Sequence, residues 1–496
     1  MKLLVFLTVI PLLAAFLTAL LGNLMKKHEN LIANCASLIL LVISLKVAQL
    51  TALDKVIVYK IGGWNFPLGI LLVADGLTSF LLVVVNLVVF LVLIYSAGYM
   101  QHYTGRWKFY TLFMLMLAGI NGVIISGDLF NLYVFLEIAS ICAYILVTFG
   151  LEPEHLEASF KYAVMGAVAS IFILLGIGLL YGYTSTLNMS DMASVLSAKP
   201  QGFLIGFISV LFLAGFGLKS ALVPFHAWLP DAHSSAPTPV SAVLSGIFIK
   251  ALGVYVISRI FFNIIGVTDK ILQALMAFGI ISMAVGALLA VSQNDIKRML
   301  AYSTISQLGY IIFALGVGTP LAILGGVFHL FNHASAKSLL FLNAGSIEHA
   351  TGRRELDKLG ALNSKLPLTS NTNLIGAMSI SGIPPFAGFW SKLIIIIAAI
   401  QAGYIGFSVI AVLVSIVTLV YYLKFQNAIF FGKAPEYKSD IKEPLLSMKL
   451  ATTVLALICV AGGLLLLSPV RVFLTQAVDV LVSGVKYKDL ILAAVK

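Results

Sequence analysis

Glu137, Lys219, Lys250, Lys337 and Lys392 each interrupt a run of apolar residues long enough to cross a bilayer, and Lys46 does so nearer the end of one. A charge at mid-helix in a membrane costs roughly 2.5–3.5 kcal/mol on insertion scales, so such residues are read as functional by default. The cations are spread over several separate runs, which suggests a route through the membrane rather than one binding pocket. Lysine suits such a route, because burial favours the neutral amine and brings proton release toward the physiological range. The chemistry to expect is movement of a proton or another cation.

Glu137 stands about two turns inside its apolar run, counted at ~3.6 residues per turn, where a carboxylate must be neutral, hydrated or paired. A lysine brought near it would hold it ionised, and Lys219 is the expected partner. The plain alternative is a protonated glutamate hydrogen-bonded for packing. Lys219 and Lys250 lie too deep to reach the headgroups easily, and structural salt bridging is the alternative for both. His329, His333 and Lys337 recur at four-residue spacing, which sets them on one helical face. Histidine titrates near neutrality, so this row could relay a proton. The same spacing also suits metal ligands, but no acidic or thiol ligand stands nearby, so no metal is expected. Asp75, Asp128, Lys161, Asp231 and His233 fall at the ends of runs or in short loops, which suits a supporting role around the path.

Apolar windows of about 20 residues carry these groups, and about fourteen of them succeed one another along the chain. They include 71–95, 129–149, 203–225, 240–262, 321–344 and 374–400. Two contain proline well inside, at Pro224 and at Pro384-Pro385, and both should break there. Each break lies a few residues from a lysine, Lys219 or Lys392. Paired broken helices five spans apart are what an inverted repeat would produce, with the ion path at the breaks. Two unrelated packing kinks are the alternative. The stretch 470–496 mixes Leu and Val with Lys and Asp, too polar to span, and is expected at the membrane interface.

The fold class is therefore an all-α polytopic membrane protein. With 10% charged residues against 60% hydrophobic ones and a mean hydropathy of +1.05, the composition is far from the ~25% charged of soluble domains. The net charge of +11 comes from scattered lysines without a basic arm or stripe, which argues against nucleic acid and fits anionic lipid headgroups. Cys35, Cys142 and Cys459 lie far apart, with no Cys-x-x-Cys pattern, so no iron–sulfur, haem or structural zinc site is expected. The N-terminal apolar run is too long for a signal peptide and reads as a retained helix. Lys26, Lys27, Arg106, Lys161, Lys297, Arg298, Arg353, Arg354 and Lys438 follow odd-numbered spans. Lys2, Lys55, Lys60, Lys199, Arg259 and Lys270 lie on the opposite side. The positive-inside rule then puts the odd loops in the cytoplasm and both termini outside a plasma membrane.

Taken together, these strings resemble the antiporter-like subunits of the complex I superfamily. The resemblance rests on Ser126-Gly127-Asp128-Leu129-Phe130 leading to Glu137, and on Lys219 followed by Val223-Pro224-Phe225-His226-Ala227-Trp228-Leu229-Pro230-Asp231-Ala232-His233. The run 293–303 and the His329, His333 and Lys337 row complete it. It covers roughly residues 75–467. Such membership implies two inverted five-helix repeats around a central polar axis: N-terminal helices over 1–107, repeats over 108–262 and 263–431, and a last helix and amphipathic tail over 432–496. It also implies a Glu137–Lys219 pair and proton passage by Lys250 and the histidines to Lys392. A lysine at 392 excludes the subtype with glutamate there. The chain looks most like the D subunit of Mrp-type sodium/proton antiporters, with protons and sodium as the ions and other membrane subunits as partners. The equivalent subunit of a membrane-bound hydrogenase or complex I relative is the alternative, and a non-conducting assembly scaffold is a third. No cofactor and no catalytic or redox site of its own is expected in any of them, although the owning complex could be an ion-translocating oxidoreductase.

Overall fold

The computed structural model describes residues 2–22, 24, 29–64, 66–199, 202–433, 435, 437, 441–468 and 470–495. Lys26, Lys27, Lys438 and Lys496, which the sequence places in loops and tail, lie outside the described residues. Helices dominate: α1 Leu3–Leu21, α2 Glu29–Asp54, α3 Gly76–Tyr99, α4 Arg106–Ile125, α5 Leu129–Val147 and α6 Pro153–Thr184 come first. They are followed by α7 Met189–Ala198, α8 Phe203–Lys219, α9 Trp228–Ser235, α10 Thr238–Val243 and α11 Val256–Ser258. The second half contains α12 Asp269–Val291, α13 Ile296–Val317, α14 Pro320–Thr351, α15 Pro367–Ser381, α16 Ala387–Gln401 and α17 Ile405–Gln426. The chain closes with α18 Leu446–Ala461, α19 Arg471–Val482 and α20 Tyr487–Val495.

Eleven of the described helical segments are long and apolar enough to cross a membrane. This is a multi-pass helical membrane protein. The shorter apolar helices α8 and α16 border the proline breaks, and α14 carries polar groups along its length. Helix starts follow side-chain chemistry. Asp75, Asp128, Asn188, Thr268, Asp295 and Thr319 cap α3, α5, α7, α12, α13 and α14 by accepting from first-turn amides, which satisfies donors that have no intrahelical partner. Pro153, Pro320 and Pro367 occupy the first turns of α6, α14 and α15, where the missing N–H costs nothing.

Two close approaches fix the centre. A Cβ on Gly286 of α12 would lie 2.5 Å from the Ser306 amide, and one on Gly309 of α13 would lie 2.5 Å from that of Met283. Small residues at these points let the two backbones touch, which is how membrane helices gain packing contact without a hydrophobic driving force. α13 is thereby held against α12 with its other face toward α14 and α17.

Several sequence expectations change. The chain is not purely α: Ile57–Lys60 (β1) and Leu71–Ala74 (β2) form an antiparallel hairpin with Ile57 opposite Ala74. Span three therefore begins at Gly76, because Asp75 caps it and the apolar run before it is strand. The span expected over 240–262 runs to Ile265 and includes π-helical turns on both sides of Lys250 and again from Arg259 to Ile265. Arg259, assigned to an outer loop by charge counting, is consequently buried inside it. The tail is not merely interfacial: α19 packs on α3 and α14, and Tyr487 of α20 is buried.

Candidate ion path

α8 stops at Lys219. Pro224 cannot continue the helix, and the freed backbone finds other partners: Ser282 Oγ accepts from the Val223 amide at 3.0 Å, and the Leu218 carbonyl accepts from Trp228 Nε1 at 3.0 Å. The last turn thus presents the Lys219 ammonium at a helix C-terminus, where the backbone dipole favours a cation. Its Nζ donates to Ser140 Oγ at 3.0 Å and lies 3.5 Å from both Glu137 Oε1 and the Tyr144 hydroxyl. Glu137 Oε1 also accepts from Ser170 Oγ at 2.5 Å. The two charged side chains expected to pair do meet, across α5 and α8, with Lys219 buried and Glu137 26% exposed at the flank of the bundle.

Lys250 is fully buried among π-helical turns, and its Nζ donates to the Ser245 carbonyl. A π-turn widens the helix and leaves carbonyls free to serve a side chain. Ser245 Oγ in turn lies 2.7 Å from Thr304 Oγ1 of α13. Among the described residues no ion pair includes Lys250, Lys337 or Lys392. Among the described residues the hydrogen-bond partners of these three lysines are all neutral groups.

On α14, Lys337 Nζ donates to the Leu300 carbonyl at 3.0 Å and to the Tyr422 hydroxyl at 2.9 Å. His329 Nδ1 meets Ser391 Oγ at 2.9 Å, next to Lys392 in the chain. His333 has neither ring nitrogen hydrogen-bonded among the described residues. Lys392 Nζ donates to Ser415 Oγ at 3.0 Å and sits 4.7 Å from the centre of the Tyr310 ring. The second break, after Gly382, is shaped for this lysine: Gly382 has φ +85°, which a side chain resists, and a Cβ there would lie 3.1 Å from Lys392 Cδ. Lys250, Lys337 and Lys392 are close enough to act electrostatically on His333, and Lys250 and Lys392 on Lys337. These groups form one electrostatic cluster, whereas Lys46 points outward from α2 and bonds Gln49 at 2.9 Å, away from it.

The supporting residues divide. Asp128 is a helix cap. Asp231 accepts from Lys161 at 3.0 Å and Arg298 at 2.7 Å beside a cavity of about 190 Å³ that Glu157 and Ser234 also line. Burial alone would raise the Asp231 carboxyl, but Lys161 and Arg298 together hold it below the ordinary value. His233 is fully buried, stacks on Phe341 with ring centroids 5.0 Å apart, and feels the charges of Lys337, Lys250 and Lys297. It therefore lies at the cluster's edge rather than in a solvated loop. Asp75 is likewise fully buried, paired with Arg259 and hydrogen-bonded by Tyr487. Sequence reading also missed Glu348, 2.9 Å from a buried Lys297. A carboxylate near the end of the helix that carries the His329, His333 and Lys337 row was the available signal.

Comparison with known proteins gives the family. A family model described as NADH:quinone oxidoreductase/Mrp antiporter, TM, matches residues 126–418, and one for the N-terminus of complex I chain 5 matches 59–110. The chain is 36% identical over 392 residues to the N subunit of the NADH-quinone oxidoreductase of Desulforudis audaxviator, covering 78% of each. It is 34% identical over 435 residues to the D subunit of the Na(+)/H(+) antiporter of Alkalihalophilus pseudofirmus, covering 86% of this chain and 87% of that one. Among solved structures, the membrane-bound sulfane sulfur reductase, an archaeal respiratory membrane complex, contains a chain with TM-score 0.90 and 31% identity, covering 99% of this chain and all of that one. The Mrp complex from Dietzia sp. contains one with TM-score 0.90 and 26% identity, covering 100% and 99%. The chain belongs to the NADH:quinone oxidoreductase/Mrp antiporter family of membrane subunits.

Proposed function

We propose that this chain is the proton-translocating antiporter-like subunit of a multi-subunit membrane complex, coupled to sodium/proton antiport. Charge moves laterally from Glu137 and Lys219 through Lys250 to His333, His329 and Lys337, and on to Lys392. The observation that carries this reading is the contrast within the row: one lysine has a carboxylate partner, and three others are buried without one among the described residues. Glu137 keeps Lys219 protonated, and Lys250, with no carboxylate partner, is the shuttle. When the Glu137–Lys219 pair opens, the freed Lys219 charge acts on Lys250 and couples the two halves.

The architecture that supports this path is about fourteen spans, with inverted repeats over 108–262 and 263–431 that place the α8–α9 and α15–α16 breaks in corresponding positions. N-terminal helices over 1–107 and a last span with its tail over 432–496 flank them. Both termini face outward across a plasma membrane, and the Asp231 cavity faces the cytoplasm. The likeness to a subunit of an archaeal respiratory complex favours a second reading, in which a redox-driven complex drives the same path.

Purification from native membranes separates the two. The antiport reading expects copurified membrane subunits without an iron–sulfur protein and sodium/proton exchange in vesicles. Copurified iron–sulfur protein supports the redox-driven reading. Transport by the lone polypeptide contradicts both.

A further inference from the structure

α13 and α17 meet beside the histidine row of α14, and besides the Phe313–Phe407 ring pair they bring together several hydroxyls and one amide. The Tyr422 hydroxyl that accepts from Lys337 lies 3.0 Å from Ser303 Oγ, which also accepts from the Tyr421 hydroxyl at 2.7 Å. One turn along α13, Gln307 neighbours Tyr421 and is fully buried, with neither amide atom in a formed hydrogen bond among the described residues. Three residues further stands Tyr310, whose ring faces the Lys392 ammonium and whose hydroxyl neighbours Ser415, the residue that accepts from Lys392. Ser303, Gln307 and Tyr310 are spaced i, i+4, i+7 and so share one face. Hydrogen-bonded hydroxyls therefore stand at the Lys337 end and at the Lys392 end, with Gln307 on the α13 face between them.

The alternative along α14 is less connected. Among the described residues His333 bonds nothing through either nitrogen, and His329 hydrogen-bonds Ser391 alone. Leaving a buried amide unsatisfied is costly, and a site offering both donors and acceptors is where a buried water belongs.

We propose that these groups, joined by water held at Gln307, form a polar seam that carries the proton between Lys337 and Lys392. It rests on the lateral path proposed above and specifies its last link. The Lys337 ammonium gives a proton to the Tyr422 oxygen as Tyr422 passes its own to Ser303 and Ser303 passes one to Tyr421. Tyr421, its O–H turned toward Gln307, protonates the water there, and that water delivers a proton through Ser415 to the neutral amine of Lys392. Every oxygen gains one O–H bond and loses one. Lys337 ends neutral, Lys392 ends charged, and no tyrosinate forms.

The test uses the whole complex in proteoliposomes. Tyr422→Phe and Ser303→Ala each remove one oxygen and preserve packing, and each is expected to slow transport about tenfold or more, the scale of a lost proton-transfer group. Ser303→Thr restores the hydroxyl and should restore the rate. Ser303→Ala at the unmodified rate overturns the proposal even if Tyr422→Phe is slow, because Tyr422 would then only position Lys337. Should the Ser303→Ala complex fail to assemble, Gln307→Leu takes its place, and an unmodified rate again overturns the seam. Lys392→Met separates the levels: a full rate there refutes the lateral path itself. Loss in Lys392→Met with an unmodified Ser303→Ala rate refutes the seam alone.

Discussion

Asp75 with Arg259 and Glu137 with Lys219 are both carboxylate–cation pairs inside this bundle, and they are built differently. Asp75 and Arg259 are shielded almost completely, at 1% and 7% side-chain exposure, and Arg259 Nη2 contacts both carboxylate oxygens at 2.7 and 2.5 Å. Tyr255, Asn263 and Thr78 take up further guanidinium donors, and Tyr487 from the tail donates to the same carboxylate. Glu137 and Lys219 stand 3.5 Å apart, and each is held more closely by a serine, Ser170 at 2.5 Å and Ser140 at 3.0 Å. The first pair is enclosed by partners that hold it in place, so opening it would strand charges in a low dielectric. The second pair is longer, has a serine partner for each member and a carboxylate partly open to its surroundings, so it is the looser of the two. One pair holds helices together; the other is suited to switching.

Removing one member of the tight pair should have the largest effect. Arg259→Met leaves Asp75 buried without a cation and should cost about 3–5 kcal/mol, as breaking buried pairs does. Thermal unfolding of the purified complex should show it, together with poor assembly. Asp75→Asn combined with Arg259→Met should recover most of the loss, since a neutral amide can still cap α3. At the loose pair the balance reverses. Glu137→Gln should cost no more than about 1 kcal/mol of stability, because the pair is long and open at its edge. Its transport should nevertheless fall at least about tenfold, the scale of losing a group that controls protonation. A complex that assembles normally and transports normally after Glu137→Gln would erase the distinction.

The loose pair was legible in the sequence and the tight one was not. Glu137 and Lys219 stand deep inside apolar runs, where charge is conspicuous. Arg259 stands three residues from the expected end of its span, and positive-inside counting assigns any such arginine to a loop. Only the π-turns that carry the span on to Ile265, and the tail that returns to cover it, place Arg259 inside. Neither leaves a periodic signature. Leu71–Ala74 misled in the same way: four apolar residues before a span look like more span until a partner strand pairs with them. The spacing of His329, His333 and Lys337 did convey a shared face. Which residues connect that face to Lys392 depends on α13 and α17 meeting, a contact between distant segments that no local pattern encodes.

Smaller effects sharpen the comparison further. Tyr487→Phe removes one hydrogen bond to Asp75 and should cost about 1–2 kcal/mol, with transport per assembled complex unchanged. A transport defect without a stability defect would give the tight pair a role in conduction. Asp231 is expected to matter least, about 1 kcal/mol or below for a partly exposed network. Its carboxyl is depressed in the folded state, so its contribution is present above the unfolded value of about 3.9 and is lost as pH falls through the lower folded one. The stability gap between the unmodified complex and Asp231→Asn should therefore be constant near neutrality and close only below about pH 4. A gap that closes near neutral pH contradicts the Lys161–Asp231–Arg298 assignment.

The central claim is that a buried lysine without a carboxylate partner carries the proton, and Lys250 tests it most directly. Arginine at that position keeps the charge but cannot release its proton, whereas methionine keeps the bulk and removes the charge. Ion exchange should be measured in proteoliposomes containing the whole complex with Lys250→Arg or Lys250→Met, after confirming that each assembles. Collapse of transport in both is the predicted result. A Lys250→Arg complex that transports at the unmodified rate would show that Lys250 is not a proton carrier.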